Sequence, residues 1–345
     1  MSWLGLEGHD LVVERFRRAI KQGRLAHAYL FVGPPGVGKR RFAFLLAKSL
    51  FCSKHPAEEL RPCGGCQNCV LVEGGTHPDL LLVSKPEDKS EFPVQLLIGD
   101  RSEAGVLRAL SMKPALASRR ILIIDDADFL NPESANALLK TLEEPPVGAI
   151  IFLIGTSAAK QLPTIRSRCQ IVNFQPLRTE IVARKLLELG YAGSTQEAES
   201  IAAVSGGSLA RAIEISQLET GEIRDALRQA LAHPRGLLSF LPTATEFVEN
   251  SASTAEAKLR SRLLFEWTLD YCKERLAEIW GKGNSSGIAK GADDSPASSN
   301  RLKEEAWLEA WALTLEMEPY LERNVNRSTL LQAWIQRLQE LLEPP

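Results

Sequence analysis

The sequence predicts an α/β protein built on a largely parallel sheet and followed by helical segments. Four short apolar runs carry this prediction, at residues 28–32, 79–83, 121–125 and 150–155. Helix-like stretches separate these runs, which is the alternation typical of βαβ units. Strands that are apolar at nearly every position are typical of a sheet buried on both faces. From about residue 177 the strand signals stop, and the segments that follow have helical apolar spacing.

The composition is that of a globular protein large enough for more than one core. The chain has 345 residues, of which 44% are hydrophobic and 24% are charged, and single cores seldom grow beyond about 250–300 residues. A formal net charge of −2 argues against a surface devoted to nucleic acid. No apolar run approaches the length of a membrane span, and the first residues lack a signal-peptide pattern. We therefore expect a cytoplasmic protein without membrane contact.

The first strand leads into GPPGVGKR, which differs at one position from a phosphate-binding loop, G-x-x-x-x-G-K-[ST]. In such loops backbone N–H groups cradle phosphates, the lysine reaches the terminal phosphates, and the hydroxyl ligates Mg²⁺. Arg40 stands where the hydroxyl is required. The helix-like stretch at 39–51 gives the strand–loop–helix order that the loop needs. The predicted nucleotide-binding residues of this degenerate loop are Gly33, Gly36, Gly38, Lys39 and Arg40.

The third strand ends in the acidic residues of IIDDAD. In phosphoryl-transfer sites an Asp at this place holds Mg²⁺ and a following group positions the attacking water. Asp125 has the first position. Asp126 has the second, but its carboxylate is about one methylene shorter than that of the Glu expected there. Acidic residues at strand ends are also common caps, and the phosphate-type loop upstream is what favours the functional interpretation.

Four cysteines form a second candidate site, and their spacing is that of a metal-binding module. Three of them lie in CGGCQNC with two residues between neighbours, and the fourth precedes them by the length of a loop. Four thiolates can close a tetrahedral, structural Zn²⁺ site. Disulfides are the alternative, but reducing conditions disfavour them in a cytosolic protein. The predicted ligands are Cys52, Cys63, Cys66 and Cys69.

Several segments together resemble the clamp-loader branch of the AAA+ ATPases, and they cover most of the chain. They are HAYLFVGPPGVGK, the Cys₄ insertion, IIDDADFLNPESANALLKTLEEPP, IRSRC and ERNVNRSTLLQAW. The resemblance implies a RecA-like AAA+ core at 1–176 with a zinc module at about 52–69. It further implies a helical lid domain at 177–222 and a helical C-terminal collar domain at 223–345. A Gly- and Ser-rich stretch at about 281–300 predicts a flexible loop in the collar.

The same resemblance implies roles for individual residues. Arg168, in a Ser-Arg-Cys motif, matches an arginine finger that enters the ATP site of an adjacent subunit. The residue that senses the γ-phosphate falls at Thr156 or Ser157. A lid arginine is expected at the position of Ala210, whereas Arg211 lies one residue further, about 100° round a helix.

Within this branch the chain resembles the delta-prime type more than the hydrolysing gamma/tau type. A gamma/tau subunit needs the hydroxyl that Arg40 replaces, and the chain ends soon after the third predicted domain. The resemblance implies a component of DNA polymerase III, a nucleotidyltransferase complex, that helps open a sliding clamp and place it on primed DNA. Implied partners are gamma/tau and delta subunits in a hetero-pentamer, the clamp, and primer-template DNA through the complex.

The expected cofactor is structural Zn²⁺, with weak ATP or ADP binding, no firm Mg²⁺ site and absent or very weak ATPase activity of the chain itself. The alternative is an active gamma/tau-type ATPase. A third class, a zinc-bearing regulatory DNA-binding protein, is disfavoured because nothing outside the Cys₄ module resembles a base-reading element.

Overall fold

The computed structural model describes residues 2–86, 88–100, 104–218, 220–251, 254–283, 296–322 and 325–343. It divides into two compact units, Met1–Ser216 and Gln217–Pro345. The described strands are β1 (Ser2–Trp3), β2 (Leu6–Glu7), β3 (Ala28–Val32), β4 (Leu80–Val83), β5 (Arg120–Ile124), β6 (Ala149–Ile154) and β7 (Gln170–Asn173). The described α-helices are α1 (Asp10–Lys21), α2 (Lys39–Phe51), α3 (Gln67–Glu73), α4 (Val94–Ile98), α5 (Val106–Leu110), α6 (Pro132–Glu143), α7 (Pro163–Arg166), α8 (Thr179–Glu188), α9 (Thr195–Val204), α10 (Leu209–Ser216), α11 (Gly221–Ala232), α12 (Leu237–Glu249), α13 (Thr254–Gly283), α14 (Pro296–Met317) and α15 (Arg327–Leu342).

The centre of the first unit is a parallel five-stranded sheet with the strand order β4-β5-β6-β3-β7. The α/β prediction is confirmed, and each of the four predicted strands agrees with an observed one to within one residue at either end. The sequence pattern missed β7, which pairs with β3 in the register Tyr29↔Gln170 to Val32↔Asn173. Two missed residues, Gln170 and Asn173, are polar, because an edge strand does not need apolar residues throughout.

Alternating residues of the strands build two hydrophobic layers, one on each face of the sheet. Tyr29 and Phe31 contribute to one layer, which also contains Phe16 of α1 and Phe42 of α2. Leu30 and Val32 contribute to the other, with side chains of α4, α5 and α6. Because both faces are covered, the strands are apolar at almost every position.

Helix α6, which precedes β6, begins and ends at residues that are typical of helix boundaries. Asn131 caps α6, since its side-chain Oδ1 accepts a 2.9 Å hydrogen bond from the Ser134 N–H. Pro132 has the first helical position, where it loses no intrahelical hydrogen bond. The helix ends at Glu143, before Pro145 and Pro146. This end matters for function because Glu143 contacts a predicted site residue.

After β7 the first unit continues as a small three-helix layer. Val182 and Leu186 of α8, Ala198 of α9 and Ala212 of α10 form one buried cluster. The predicted helical character of this segment is confirmed, while its separation at 177–222 as a domain of its own stays a prediction.

The second unit, as far as the structure describes it, consists of helices, and Trp334 of α15 lies at its core. The Trp334 indole lies edge-on to Phe265 with 4.6 Å between ring centroids, and its Nε1 donates to Thr314 Oγ1 at 3.2 Å. Of the loop predicted at about 281–300, residues 281–283 complete α13 and residues 296–300 open α14. Residues 284–295 of that loop lie outside the described residues. Among the described helices, none has both the length and the apolar content to cross a bilayer.

Candidate functional site

The phosphate-type loop connects β3 to α2 and has the backbone conformation that its glycines predict. Gly36 has φ +72° and Gly38 has φ +98°, a region that L-residues rarely adopt. A Cβ at Gly36 would collide with Ser208 Oγ and would lie 2.7 Å from Ala210 Cβ. The loop therefore packs tightly against the residues that open α10, and only glycine fits there.

Lys39, the first residue of α2, is buried and bonded to its own loop. Its Nζ donates to Gly33 O at 2.7 Å and to Pro34 O at 2.6 Å. Burial lowers the pKa of Lys39, against the attraction of Asp125 and Asp128. A phosphate entering the loop would have to compete with these two carbonyl oxygens for the lysine.

Arg40 lies across the pocket from the acidic end of β5. Its Nη1 is 3.5 Å from Asp125 Oδ2, in an ion pair whose side chains are 56% and 18% exposed. Burial raises the pKa of Asp125 and repulsion from Asp126 adds to the increase, whereas Arg40 and Lys39 oppose it. A fixed cation therefore lies beside the carboxylate that was expected to hold Mg²⁺.

The residues present do not fit a Mg²⁺ site. Magnesium prefers near-octahedral oxygen ligands, but the expected hydroxyl is replaced by the guanidinium of Arg40. Asp126 follows Asp125 in a left-handed backbone conformation with φ +57°, and its N–H donates to Asp125 Oδ1 at 3.1 Å.

Asp128 organises the end of β6 and was not singled out from the sequence. Its carboxylate accepts hydrogen bonds from the Thr156 N–H at 2.7 Å, the Thr156 hydroxyl, and Gln161 Nε2 at 2.9 Å. Thr156 lines the pocket, whereas the Ser157 hydroxyl caps the short helix that follows through Ala159 N–H at 3.2 Å. The third acidic residue of IIDDAD was the signal that could have identified Asp128.

These residues surround a cavity of about 480 Å³ in the first unit. Of the predicted nucleotide-binding residues, only Gly33 is absent from its lining, and Gly33 O accepts the hydrogen bond from Lys39 Nζ. Ala210 lines the cavity where the lid arginine was expected, and Arg211 does not. The lining residues are Pro35, Gly36, Gly38, Lys39, Arg40, Arg41, Asp125, Asp126, Asp128, Phe129, Ile154, Gly155, Thr156, Leu209, Ala210 and Ile213.

Arg168 lies elsewhere, between α7 and the beginning of β7. Its Nη2 is 2.6 Å from Glu143 Oε1, the last residue of α6, with the two side chains 32% and 51% exposed. Its Nη1 donates to Thr164 O at 2.8 Å and to Ser167 Oγ at 3.2 Å. Glu143 was not predicted as a site residue, although it belongs to the TLEEPP segment.

The parallel pairing of β7 with β3 determines at which end of the strands Arg168 lies. Arg168 precedes β7, whereas the phosphate-type loop follows β3, so they lie at opposite strand ends. The length of β7, roughly 10 Å at 3.3 Å per residue, separates the two levels. His27 Nε2 lies 3.1 Å from Leu142 O, so the end of α6 also lies at the edge where β3 begins. Arg168 thus lies at the end of the sheet where the strands begin, and the pocket lies at the end where they finish.

The four predicted metal ligands lie together. Their sulfur atoms are all within 4.8 Å of one another, so the group can hold a metal ion, and Zn–S bonds of 2.3 Å would place tetrahedral sulfurs about 3.8 Å apart. Cys52 follows α2 and Cys66 precedes α3, so the cluster joins two helix ends. Burial raises the pKa of Cys69 to about 12. Burial also acts on Cys66, but hydrogen bonds from Ser53 and from the Cys69 backbone outweigh it and lower the Cys66 pKa to about 5.

The chain matches the family model described as "DNA polymerase III, delta subunit" over residues 8–178. It is 38% identical over 191 residues to the DNA polymerase III subunit delta-prime of Bacillus subtilis, an alignment covering 54% of each chain. It is 29% identical over 313 residues to the delta-prime subunit of Pseudomonas aeruginosa, covering 89% of this chain and 90% of that one. Along most of its length the chain thus resembles DNA polymerase III subunit delta-prime. Subunit tau/gamma of Haemophilus influenzae is also similar, with 34% identity over 53% of this chain and 25% of its own length.

The pocket and the end of the sheet that carries Arg168 differ in how their arginines are used. The predicted loop and strand-end residues other than Gly33 line the pocket, but an arginine pairs with the carboxylate expected to hold the metal. At the opposite end of the strands, Arg168 is paired with the half-exposed carboxylate of Glu143. The predicted roles of these residues stay predictions.

Proposed function

We propose that this chain is a delta-prime-type subunit of the DNA polymerase III clamp loader and that Arg168 acts in the ATP site of an adjacent subunit. Its delta-prime and tau/gamma relatives support the assignment. In this proposal the chain assembles with gamma/tau and delta subunits in a hetero-pentamer. The assembled loader opens the sliding clamp and places it on primer-template DNA.

The observation that carries the proposal is that Arg168 and the chain's own pocket lie at opposite ends of the strands. A guanidinium there cannot reach its own phosphate-type loop without crossing the length of β7. Its side chain is partly exposed and its ion-pair partner Glu143 is half-exposed, so it can be offered to a neighbouring chain. This geometry suits a group that acts in trans.

The chemistry of arginine suits the same role. A guanidinium is permanently charged and planar, and it can donate two hydrogen bonds to phosphate oxygens as negative charge develops on them. Exposed ion pairs contribute only about 0–1 kcal/mol, so exchanging Glu143 for a phosphate costs little. Lysine carries the same charge but lacks the two parallel N–H donors of a guanidinium, so it should substitute poorly.

The chain's own pocket supports a subunit that does not hydrolyse ATP. It lacks the hydroxyl ligand, has Asp126 in place of a Glu, and has Ala210 at the lid position. We expect ATPase activity of the isolated chain to be absent or very weak. Robust turnover by the purified chain would instead favour a gamma/tau-type ATPase.

The cysteine cluster completes the proposal as a structural zinc site. All four donors are sulfur, the ligand type that favours zinc among common divalent ions. With every tetrahedral position taken by a thiolate, no position is open for a water or a substrate. The metal would therefore stabilise the segment between α2 and α3 and take no part in chemistry.

The test is Arg168→Ala in a loader reconstituted with gamma/tau and delta subunits. An arginine finger contributes about 10³–10⁵ in rate at a single site, and a loader with several sites should show only part of this loss. We expect assembly and metal content to be unchanged, while clamp- and DNA-stimulated ATPase and the rate of clamp loading fall severalfold or more. Arg168→Lys should recover little of either rate.

Arg166→Ala is the matched control, because Arg166 is exposed and belongs to the same short segment. It removes the same charge two residues away and should leave both rates near the parental values. Equal losses in the two variants would indicate a general charge effect. A normally assembled Arg168→Ala loader that works at the parental rate would show that Arg168 is not a finger.

A further inference from the structure

The phosphate-type pocket contains its own cation at the place where a divalent metal would be expected. Arg40 directly follows the loop lysine, and its Nη1 lies 3.5 Å from Asp125 Oδ2. The Asp125 side chain is only 18% exposed, so it needs a counter-charge. Because an arginine in a protein does not lose its proton, that counter-charge is present at every working pH.

The lining of the pocket also balances its charges without a metal. Three cationic residues, Lys39, Arg40 and Arg41, share it with three acidic ones, Asp125, Asp126 and Asp128. The third carboxylate, on Asp128, is already occupied by hydrogen bonds from Thr156 and Gln161. A divalent cation at Asp125 would therefore meet the positive charge of Arg40 and lack the hydroxyl ligand.

We propose that this pocket binds a nucleoside diphosphate or triphosphate as the metal-free anion, with Arg40 in the place of Mg²⁺. This binding concerns the chain's own pocket within the proposed function and does not depend on the role of Arg168. Lys39 and Arg40 supply the positive charge that faces the phosphates. The cavity of about 480 Å³ gives the ligand room beside the glycine-rich loop.

The structure also explains why such binding should be weak. Lys39 already bonds to Gly33 O and Pro34 O, so a phosphate oxygen has to replace both carbonyls. Arg40 must likewise be shared between Asp125 and the ligand. Binding therefore exchanges existing interactions for new ones, and metal in solution competes with the pocket for the free nucleotide.

The experiment measures ADP and ATP binding to the full isolated chain by calorimetry, in EDTA and in excess Mg²⁺. We expect binding in EDTA and equal or weaker binding in Mg²⁺. Binding that becomes at least about threefold tighter in Mg²⁺, or no binding in either condition, would overturn the proposal. Because the isolated chain is used, neither result depends on whether Arg168 acts in a loader.

Two variants separate the position of the charge from its amount. Arg40→Thr removes the cation and restores the hydroxyl, so Mg²⁺ should now tighten binding. Arg166→Ala removes the same charge at an exposed residue outside the pocket lining and should keep the parental response to Mg²⁺. If Arg40→Thr responds to Mg²⁺ as the parent does, Arg40 does not replace the metal.

A direct metal readout completes the test. Electron paramagnetic resonance of Mn²⁺ with saturating ADP should detect no protein-bound ion in the parent chain. The Arg40→Thr variant should bind the ion together with the nucleotide. A bound Mn²⁺ signal of similar size in both proteins would contradict the proposal.

Discussion

Two arginines of the first unit each pair with a carboxylate, but they do so at opposite ends of the strands of the same sheet. Arg40 pairs with Asp125, a mostly buried carboxylate at the end of β5. Arg168 pairs with Glu143, a half-exposed carboxylate at the end of α6. Both pairs have the same chemistry, and they differ in how strongly the carboxylate needs its partner.

This difference decides what each arginine can do. A buried carboxylate left without a partner costs free energy, so Asp125 holds Arg40 in the pocket. An exposed carboxylate is well solvated by water alone, so Glu143 can release Arg168 at little cost. The pocket therefore keeps Arg40 beside Asp125, whereas Arg168 can be presented to another molecule.

The largest expected effect is that of removing the metal from the cysteine cluster, which should leave both arginine pairs in place. Purified chain should hold about one Zn²⁺, and its removal by a strong chelator, or Cys66→Ser, should unfold the segment at 52–69, because structural zinc contributes on the order of 10 kcal/mol to such modules. The sheet holds both pairs independently, so hydrogen exchange of β5 and β7 should change little. Elemental analysis without metal, or loss of protection throughout the sheet, would contradict this picture.

A smaller effect is expected from Glu143→Gln in the assembled loader. If Glu143 only holds Arg168 until a phosphate replaces it, removing its charge should change ATPase activity by about threefold or less, since exposed pairs contribute at most ~1 kcal/mol. Glu144→Gln is the matched control at the next residue. A loss as large as that of Arg168→Ala would mean that Glu143 itself is required for activity, and the contrast between the two pairs would fail.

The smallest effect concerns the pH dependence of the pocket pair. Since Arg40 lowers the pKa of Asp125 against burial, Arg40→Ala should raise that pKa further, which carboxyl NMR of Asp125 can measure. A carboxyl whose folded-state pKa is raised stabilises the fold below its unfolded pKa, and this contribution is lost as the pH rises through the folded pKa. Arg40→Ala should therefore lower the melting temperature more at neutral than at acidic pH. An equal loss at both would show that Asp125 does not depend on Arg40.

The local features of this chain follow from short stretches of its sequence. Continuous apolar runs identify β3 to β6 because a strand buried on both faces has few polar positions, and Asn131 with Pro132 places the start of α6. The spacing of Cys63, Cys66 and Cys69 likewise predicts that these three lie together, since neighbours with two residues between them cannot be far apart in space. These features depend on interactions between residues close in the chain.

The contacts that define the site depend on the order of the strands. Arg40 meets Asp125 because β3 and β5 both pair with β6, and their carboxyl ends face the same pocket. Arg168 lies at the opposite edge because β7, too polar to be predicted, pairs in parallel with β3. Glu143 reaches Arg168, and Asp128 reaches Thr156, only once these strands are assembled. Residue type and spacing determine which chemistry is available, whereas packing between distant segments decides which groups meet.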